Sequence, residues 1–435
     1  MSANHRRISD LARLLPSYAR GQSSATRHGL RMQGACGNAR CLDGKETPMS
    51  VARRWSIPLL LLLIAAGCKD QGAQAPASGT SGSTAAPAGG AGATIGAALS
   101  LTGPAASYGA LQRAGIQAAL EEVNAGGGAK LNVLIEDDSS TKEQGITVFQ
   151  KFINRDKVSA IIGPTLSNTA SAADPLAQQA KVPVLGISNT APTGITDIGN
   201  YIWRDSLTEA QVIPGAFKKA QEKLKFKSAG VLYGNDDVFT KAGYDVMQKA
   251  LADLGVKVVG TQTFAKPDRD YNAQLTALVS AKPDVLVVSA LADNAAAIVT
   301  QARQRGWTGA MLGGNGFNSP AFIKNAGAAA EGVMVGTSWN SLSQDAANQK
   351  FLAAMKKTGV NPDQFSAQAY TGVIILAEAV KQAGGKTGRE DINAGLAKVK
   401  DLDTPLGKFS FTQGRDARHE PSVQQVKDGK FQIVQ

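Results

Sequence analysis

Hydrophobic positions along the chain fall into two alternating patterns. Short continuous runs of aliphatic residues (TIGAALSL from Thr94, LNVLIEDD from Leu131, VSAIIG from Val158, VPVLGIS from Val182) are separated by longer segments with apolar residues three and four apart. Residues 108–124 form one such segment, with Leu111, Ile116, Ala119, Leu120 and Val123 on one side. Residues 141–155, marked by Val148, Phe149 and Phe152, and residues 167–180 are two more. Runs without polar alternation mark strands covered on both faces, and three–four spacing marks amphipathic helices. After a break at YIWRDS (201–206) the alternation resumes. SAGVLYG, VKVVGTQTF, DVLVVSA, GAMLGG and EGVMVGTSW read as strands, with helices at 246–254, 272–281 and 294–305 and a short one after Pro320. Two such series predict an α/β protein of two doubly wound parallel-sheet lobes. The rhythm then changes. Residues 346–358, 365–383 and 390–398 read as three helices in succession, followed by the short strands GKFSF and KFQIV. That order predicts a chain that crosses back between the lobes.

The first 93 residues do not share this rhythm. Residues 49–68 (MSVARRWSIPLLLLLIAAGC) combine an Arg53–Arg54 pair, an apolar run and a small-residue site before Cys68. The run is about 10 residues, half of what a spanning helix needs, and the arrangement reads as an export signal. The Gly67–Cys68 junction is similar to a lipoprotein box, which makes residues 49–67 a signal peptide and Cys68 the lipidated residue. Residues 1–48 hold seven Arg and no apolar periodicity, and read as an upstream over-extension of the frame or as unstructured. Residues 69–93 are rich in Gly, Ala, Ser and Pro and, with Cys68, read as an anchor and flexible tether over 68–93.

The leader also accounts for most of the charge. The 435 residues carry 46 Lys+Arg and 35 Asp+Glu, a formal +11, but residues 1–67 hold ten of the basic and three of the acidic ones. The remainder is close to neutral, so the basic balance is no sign of nucleic-acid binding. Beyond residue 68 there is no Cys, and His419 is the only His. That excludes an internal disulfide and a Cys/His metal site. His419, in the charged stretch RDARHEP, reads as a surface-loop residue without a catalytic role. Gly385-Lys386-Thr387 lacks the earlier glycine and preceding strand of a phosphate loop and reads as a helix end. Glu136, Asp137 and Asp138 read as a solvated strand end that caps the next helix or a loop. No cofactor is expected, and no enzyme.

Ligands of open α/β sheets sit beyond the carboxyl ends of the strands, so the segments after each strand supply the candidates. After VSAIIG comes GPTLSNT, where Ser167 reads as a helix N-cap and, with Asn168, offers donors for a carboxylate. After VPVLGIS come Ser188, Asn189 and Thr190. After TIGAALSL, the turn TGPAASYG presents Tyr108. The second series adds Phe239, Leu291, Asp293 and Asn315, a mixture of apolar and polar groups suited to a small-molecule pocket.

These segments, taken in order with YGNDDVFTKAG and QARQRGW, resemble the leucine/isoleucine/valine-binding protein family, type I periplasmic binding proteins of ABC transporters. The resemblance runs from Thr94 to Gln435. It implies two lobes joined by three crossovers, about 94–207 with 339–411 and 208–338 with 412–435. It implies that Ser167, Ser188 and Thr190 hold an α-carboxylate and its neighbouring amine, that Tyr108 lines the side-chain pocket, and that Phe239 approaches from the second lobe. Two positions depart from the family. Asn315 stands where its amino-acid binders have a Glu that pairs with the ammonium, and Leu291 where they often have a Tyr. On this reading Asp293 or Asp237 supplies the missing charge, or the ligand is an aromatic or aliphatic carboxylate or an amide. The expected protein is a monomeric, periplasmic lipoprotein that delivers a branched-chain or other apolar amino acid to a permease. A ligand-sensor domain for a membrane receptor is the alternative.

Overall fold

The computed structural model describes residues 92–434. The signal, Cys68 and tether readings lie outside the described residues. The first lobe is built from β1 (Ala93–Leu99), α1 (Ala106–Ala125), β2 (Leu131–Asp137), α2 (Lys142–Gln150), β3 (Ala160–Ile162), α3 (Ser167–Gln179), β4 (Val184–Gly186) and β5 (Ile202–Arg204). Its five strands are parallel in the order β2-β1-β3-β4-β5. The order reverses between β1 and β3, so the ends of those strands open the crevice in which such sheets place ligands. The break at YIWRDS holds the short edge strand β5. With three residues and a charged end, it shows too little periodicity to be read from the sequence.

The second lobe comes next as α4 (Glu209–Leu224), β6 (Ser228–Gly234), α5 (Val238–Asp253), β7 (Lys257–Phe264), α6 (Asn272–Ser280), β8 (Val285–Ser289), α7 (Ala292–Gln304), β9 (Ala310–Gly313), α8 (Pro320–Ala326) and β10 (Met334–Thr337). Then come α9 (Ala346–Thr358), α10 (Gln364–Gln382), α11 (Arg389–Leu396), β11 (Leu402–Thr404), β12 (Gly407–Phe411), β13 (Ala417–Arg418), β14 (Ser422–Lys427) and β15 (Lys430–Ile433). Strands β10-β9-β8-β6-β7 are parallel. An antiparallel hairpin, β14–β15, extends that sheet beside β10. Its first strand, Ser-Val-Gln-Gln-Val-Lys, has no alternation of apolar and polar residues from which to predict it; pairing with β10 makes it a strand.

The helices α9, α10 and α11 return to the first sheet. Phe351, Tyr370, Leu376, Ile392 and Leu396 share one core with Ile95, Ile116 and Leu185. The opposite face of the sheet is covered by α2, the helical turn Lys151–Arg155 that continues it, and α3, through Val148, Phe149, Phe152 and Ala173. The second sheet is likewise buried on both faces. Among the described residues, no helix is long and apolar enough to cross a membrane.

Candidate functional site

The two lobes meet on a shared apolar layer. Tyr108, Leu166 and Phe365 from the first-lobe side pack in one cluster with Phe239, Leu291 and Phe317 from the second. The Tyr108 ring lies 4.4 Å from that of Phe365. Its hydroxyl donates to the Gly316 carbonyl (2.8 Å) and accepts from the Ala292 amide at the start of α7 (2.7 Å). Tyr108 is therefore a bridge as well as a wall: its third position in α1 carries it across the cleft. Gly316 permits the approach, since a Cβ there would sit 2.2 Å from the Ala290 carbonyl oxygen.

Within this layer is a narrow cavity, ≈ 20 Å³, lined by Tyr108, Thr165, Leu166, Ser167, Ser188, Phe239, Leu291, Asn315, Gly316 and Phe365. Six of the ten candidates, Tyr108, Ser167, Ser188, Phe239, Leu291 and Asn315, are thus brought together. A larger groove, lined by Glu122, Lys350 and Lys381 among others, lies beside α1 and α10 and shares none of these residues.

The polar side of the cavity belongs to the first lobe. Ser167 is not the N-cap of α3, because Leu166 occupies that position with extended backbone. The Ser167 hydroxyl instead accepts from the Thr190 and Ala191 amides (3.1 and 3.2 Å), which pins one strand-end loop to the next. Its proton has no acceptor among the described residues. A hydroxyl can donate as well as accept, so that proton remains free for a ligand. Ser188 is more committed: it donates to the Thr165 carbonyl and accepts from Gln112, which also takes the Thr165 hydroxyl, each bond 2.7 Å. Gln112, buried on α1, carries no motif and was invisible in the sequence.

The other four candidates lie off the cavity wall. Asn189 turns back, its amide donating to the Pro164 carbonyl at 3.2 Å. Its own carbonyl and that of Ala191 are held by Arg204 at 3.1 and 2.6 Å. Arg204 is fully buried and paired with Asp416 (2.6 Å), so an ion pair at the crossover shapes the loop that carries Thr190. Asn168 leaves its side-chain oxygen buried and unpartnered. Asp293 is exposed and accepts from Asn325 at 3.2 Å. Asp237, the other candidate counter-charge, caps α5 by accepting from the Phe239 and Thr240 amides (3.0 and 3.2 Å) and lies 3.8 Å from Lys266. Neither acid is placed to face the cavity.

Thr190 leads instead to an acid that sequence reasoning passed over. Glu209, the first residue of α4, is 1% exposed. Its amide donates to the Thr190 carbonyl (2.9 Å). One carboxylate oxygen accepts from the Asn315 amide at 3.0 Å and lies 3.5 Å from the Thr190 hydroxyl. Burial pushes its pKa up to about 7 against these two lowering bonds. Asn315 itself accepts from Gln364 (2.6 Å) and Asn318 (3.3 Å) through its side-chain oxygen.

The remaining sequence features have structural uses. Asp137 accepts from the Leu101 and Ser139 amides and the Thr102 hydroxyl (2.9, 2.8 and 2.6 Å), and Asp138 from Ser100 (2.7 Å), so the acids close the turns after β1 and β2. His419 does not sit free in a loop: both ring nitrogens are shut off from water, and burial pushes its pKa down to about 4. Among the described residues, no group of three or more His, Cys, Asp or Glu is placed to hold a metal ion.

Two parallel-sheet lobes closed over a small, mostly apolar cavity define a binding protein of the bilobal periplasmic type. A family model described as periplasmic binding protein matches residues 92–430, and the chain belongs to that family. Membership implies an extracytoplasmic location. A leucine-, isoleucine-, valine-, threonine- and alanine-binding protein of Pseudomonas aeruginosa is 29% identical over 324 residues, covering 73% of this chain and 85% of that protein. Among solved structures, a leucine-binding protein of Thermotoga maritima superposes with a TM-score of 0.74 at 26% identity, covering 79% of this chain and 98% of that one. A branched-chain amino acid transporter substrate-binding protein of Streptococcus pneumoniae, solved with isoleucine, has the same TM-score at 27% identity, covering 79% and 99%. The relatives are thus binding proteins of the branched-chain amino acid transporter type, and not enzymes.

Proposed function

We propose that this protein captures a small apolar α-amino acid, of the branched-chain class, between its lobes and delivers it to an ABC permease, working as a monomer held at the membrane by a lipidated Cys68. The observation that carries the reading is the convergence of Ser167 and Ser188 from one lobe with Phe239, Leu291 and Asn315 from the other on one cavity bridged by Tyr108. A free Ser167 proton suits a carboxylate, and the aromatic and aliphatic walls suit an aliphatic side chain. The name of the Pseudomonas relative and the isoleucine in the Streptococcus structure support the same class.

A second reading is favoured by one observation. The cavity wall carries the neutral Asn315, and a Rhodopseudomonas palustris solute-binding protein of the same fold was solved with 4-hydroxybenzoate. A carboxylate without an amine would leave no cation to neutralise.

Calorimetric titration of ligand-stripped protein with leucine, isoleucine, valine, phenylalanine, 4-hydroxybenzoate and an aliphatic amide separates the two. Binding confined to the amine-free compounds would reject the amino-acid reading. For the anchor, Cys68→Ala should move the exported protein from the membrane fraction to the soluble one. An unchanged distribution would remove the lipid.

A further inference from the structure

Glu209 is a buried carboxylate tied to both lobes. It receives the amide of cavity-lining Asn315 from the second lobe and lies against the Thr190 hydroxyl, on the loop that Ser167 pins. Both bonds fall on the same oxygen, and the second carboxylate oxygen has no hydrogen-bond partner among the described residues. Gly314 packs directly against the carboxylate: a Cβ there would lie 3.1 Å from the Met247 methyl and 3.4 and 3.6 Å from the two carboxylate oxygens. No Lys, Arg or His among the described residues contributes to its charge balance. The neighbouring acids have capping or surface roles, although Asp237 and Asp363 each keep one buried oxygen without a partner. Asp237 caps α5 beside Lys266, Asp363 caps α10 through the Ser366 amide and hydroxyl (2.9 and 2.7 Å), and Asp293 is exposed.

From this geometry we infer that Glu209 is the counter-charge for the ligand's ammonium group, taking the role that a neutral Asn315 cannot fill. The inference rests on the amino-acid reading above and deepens it. A buried carboxylate without a cation is costly, and an ammonium beside it removes that cost while gaining a charge-assisted bond. The consequence is selection: the site would favour an α-amino acid over the same molecule without its amine because only the former satisfies Glu209. The elevated pKa of this group agrees, since an ammonium entering near neutral pH would drive its proton off.

The test is calorimetry on the ligand-stripped full chain with leucine and with 4-methylpentanoate, its amine-free analogue. Glu209→Gln should weaken leucine about 10-fold or more and change 4-methylpentanoate by less than about 3-fold, with Glu209→Asp intermediate. The wild type, titrated with leucine at pH 6.5 in buffers of different ionisation enthalpy, should release a proton that the Gln variant does not; this readout on the wild type stands even if a variant folds poorly. Leucine affinity unchanged in Glu209→Gln, an equal loss for both ligands, or no proton release would overturn the assignment while leaving the amino-acid reading intact. A wild type that binds no amino acid would overturn both.

Discussion

Single residues decide this cleft through what they bond rather than through their type. Ser167 was legible as a polar group after a strand, but its hydroxyl spends two lone pairs on neighbouring amides. Ser167→Ala therefore strips acceptors from two buried N–H groups as well as a donor from the ligand, and its effect on binding cannot be read without its effect on folding. Glu209 offers a cleaner signal. Its carboxyl titrates near 4.5 when unfolded and near 7 when folded. Between those values the folded state keeps a proton that the unfolded state has lost, so stability of the empty protein falls as pH rises through that window. The loss is roughly 3 kcal/mol at most. Urea unfolding of ligand-free protein should find Glu209→Gln nearly level with wild type at pH 4.5 and more stable at pH 8. The same difference at both pH values would mean that the folded carboxyl titrates normally.

At the scale of elements, the two parallel sheets were readable because strands buried on both faces must be continuously apolar, and β1, β3, β4, β6 and β8 are. The edge strand β5 and the largely polar strand β14 were not, since each depends on a neighbour supplied from elsewhere in the chain. The turn out of β3 shows how tightly the elements constrain the site. Gly163 has φ +100°, and a Cβ on it would lie 2.2 Å from the Ala98 carbonyl oxygen. Gly163→Ala should cost about 2–4 kcal/mol, from left-handed strain plus displacement of β1. A thermal midpoint within about 1–2 °C of wild type, on the order of measurement scatter, would mean that the strand end yields more easily than the packing suggests.

For the whole molecule, the contacts that matter join distant parts of the chain. Tyr108 ties α1 to Gly316 and Ala292, more than 180 residues away. Tyr108→Phe keeps the ring on Phe365 but leaves a buried amide without its acceptor, so the closed arrangement should lose about 1–3 kcal/mol relative to an open one. Small-angle scattering of the ligand-free variant should give a larger radius of gyration than wild type, restored by saturating ligand. Identical curves would show that the hydroxyl does not govern closure. The sequence by itself determined what depends on local pattern: the alternation of strands and helices, the two-lobe plan, and the strand ends where a ligand would sit. Periodicity and turn chemistry are written in consecutive residues. Tertiary structure alone decided which groups meet. Glu209 follows the break at YIWRDS in a stretch where the sequence pattern predicts no element, and Asn315 stands where the resemblance expects a charge. Only folding brings the two within 3.0 Å, across 106 residues, and joins the Glu209 carboxylate to an amide of the cavity wall.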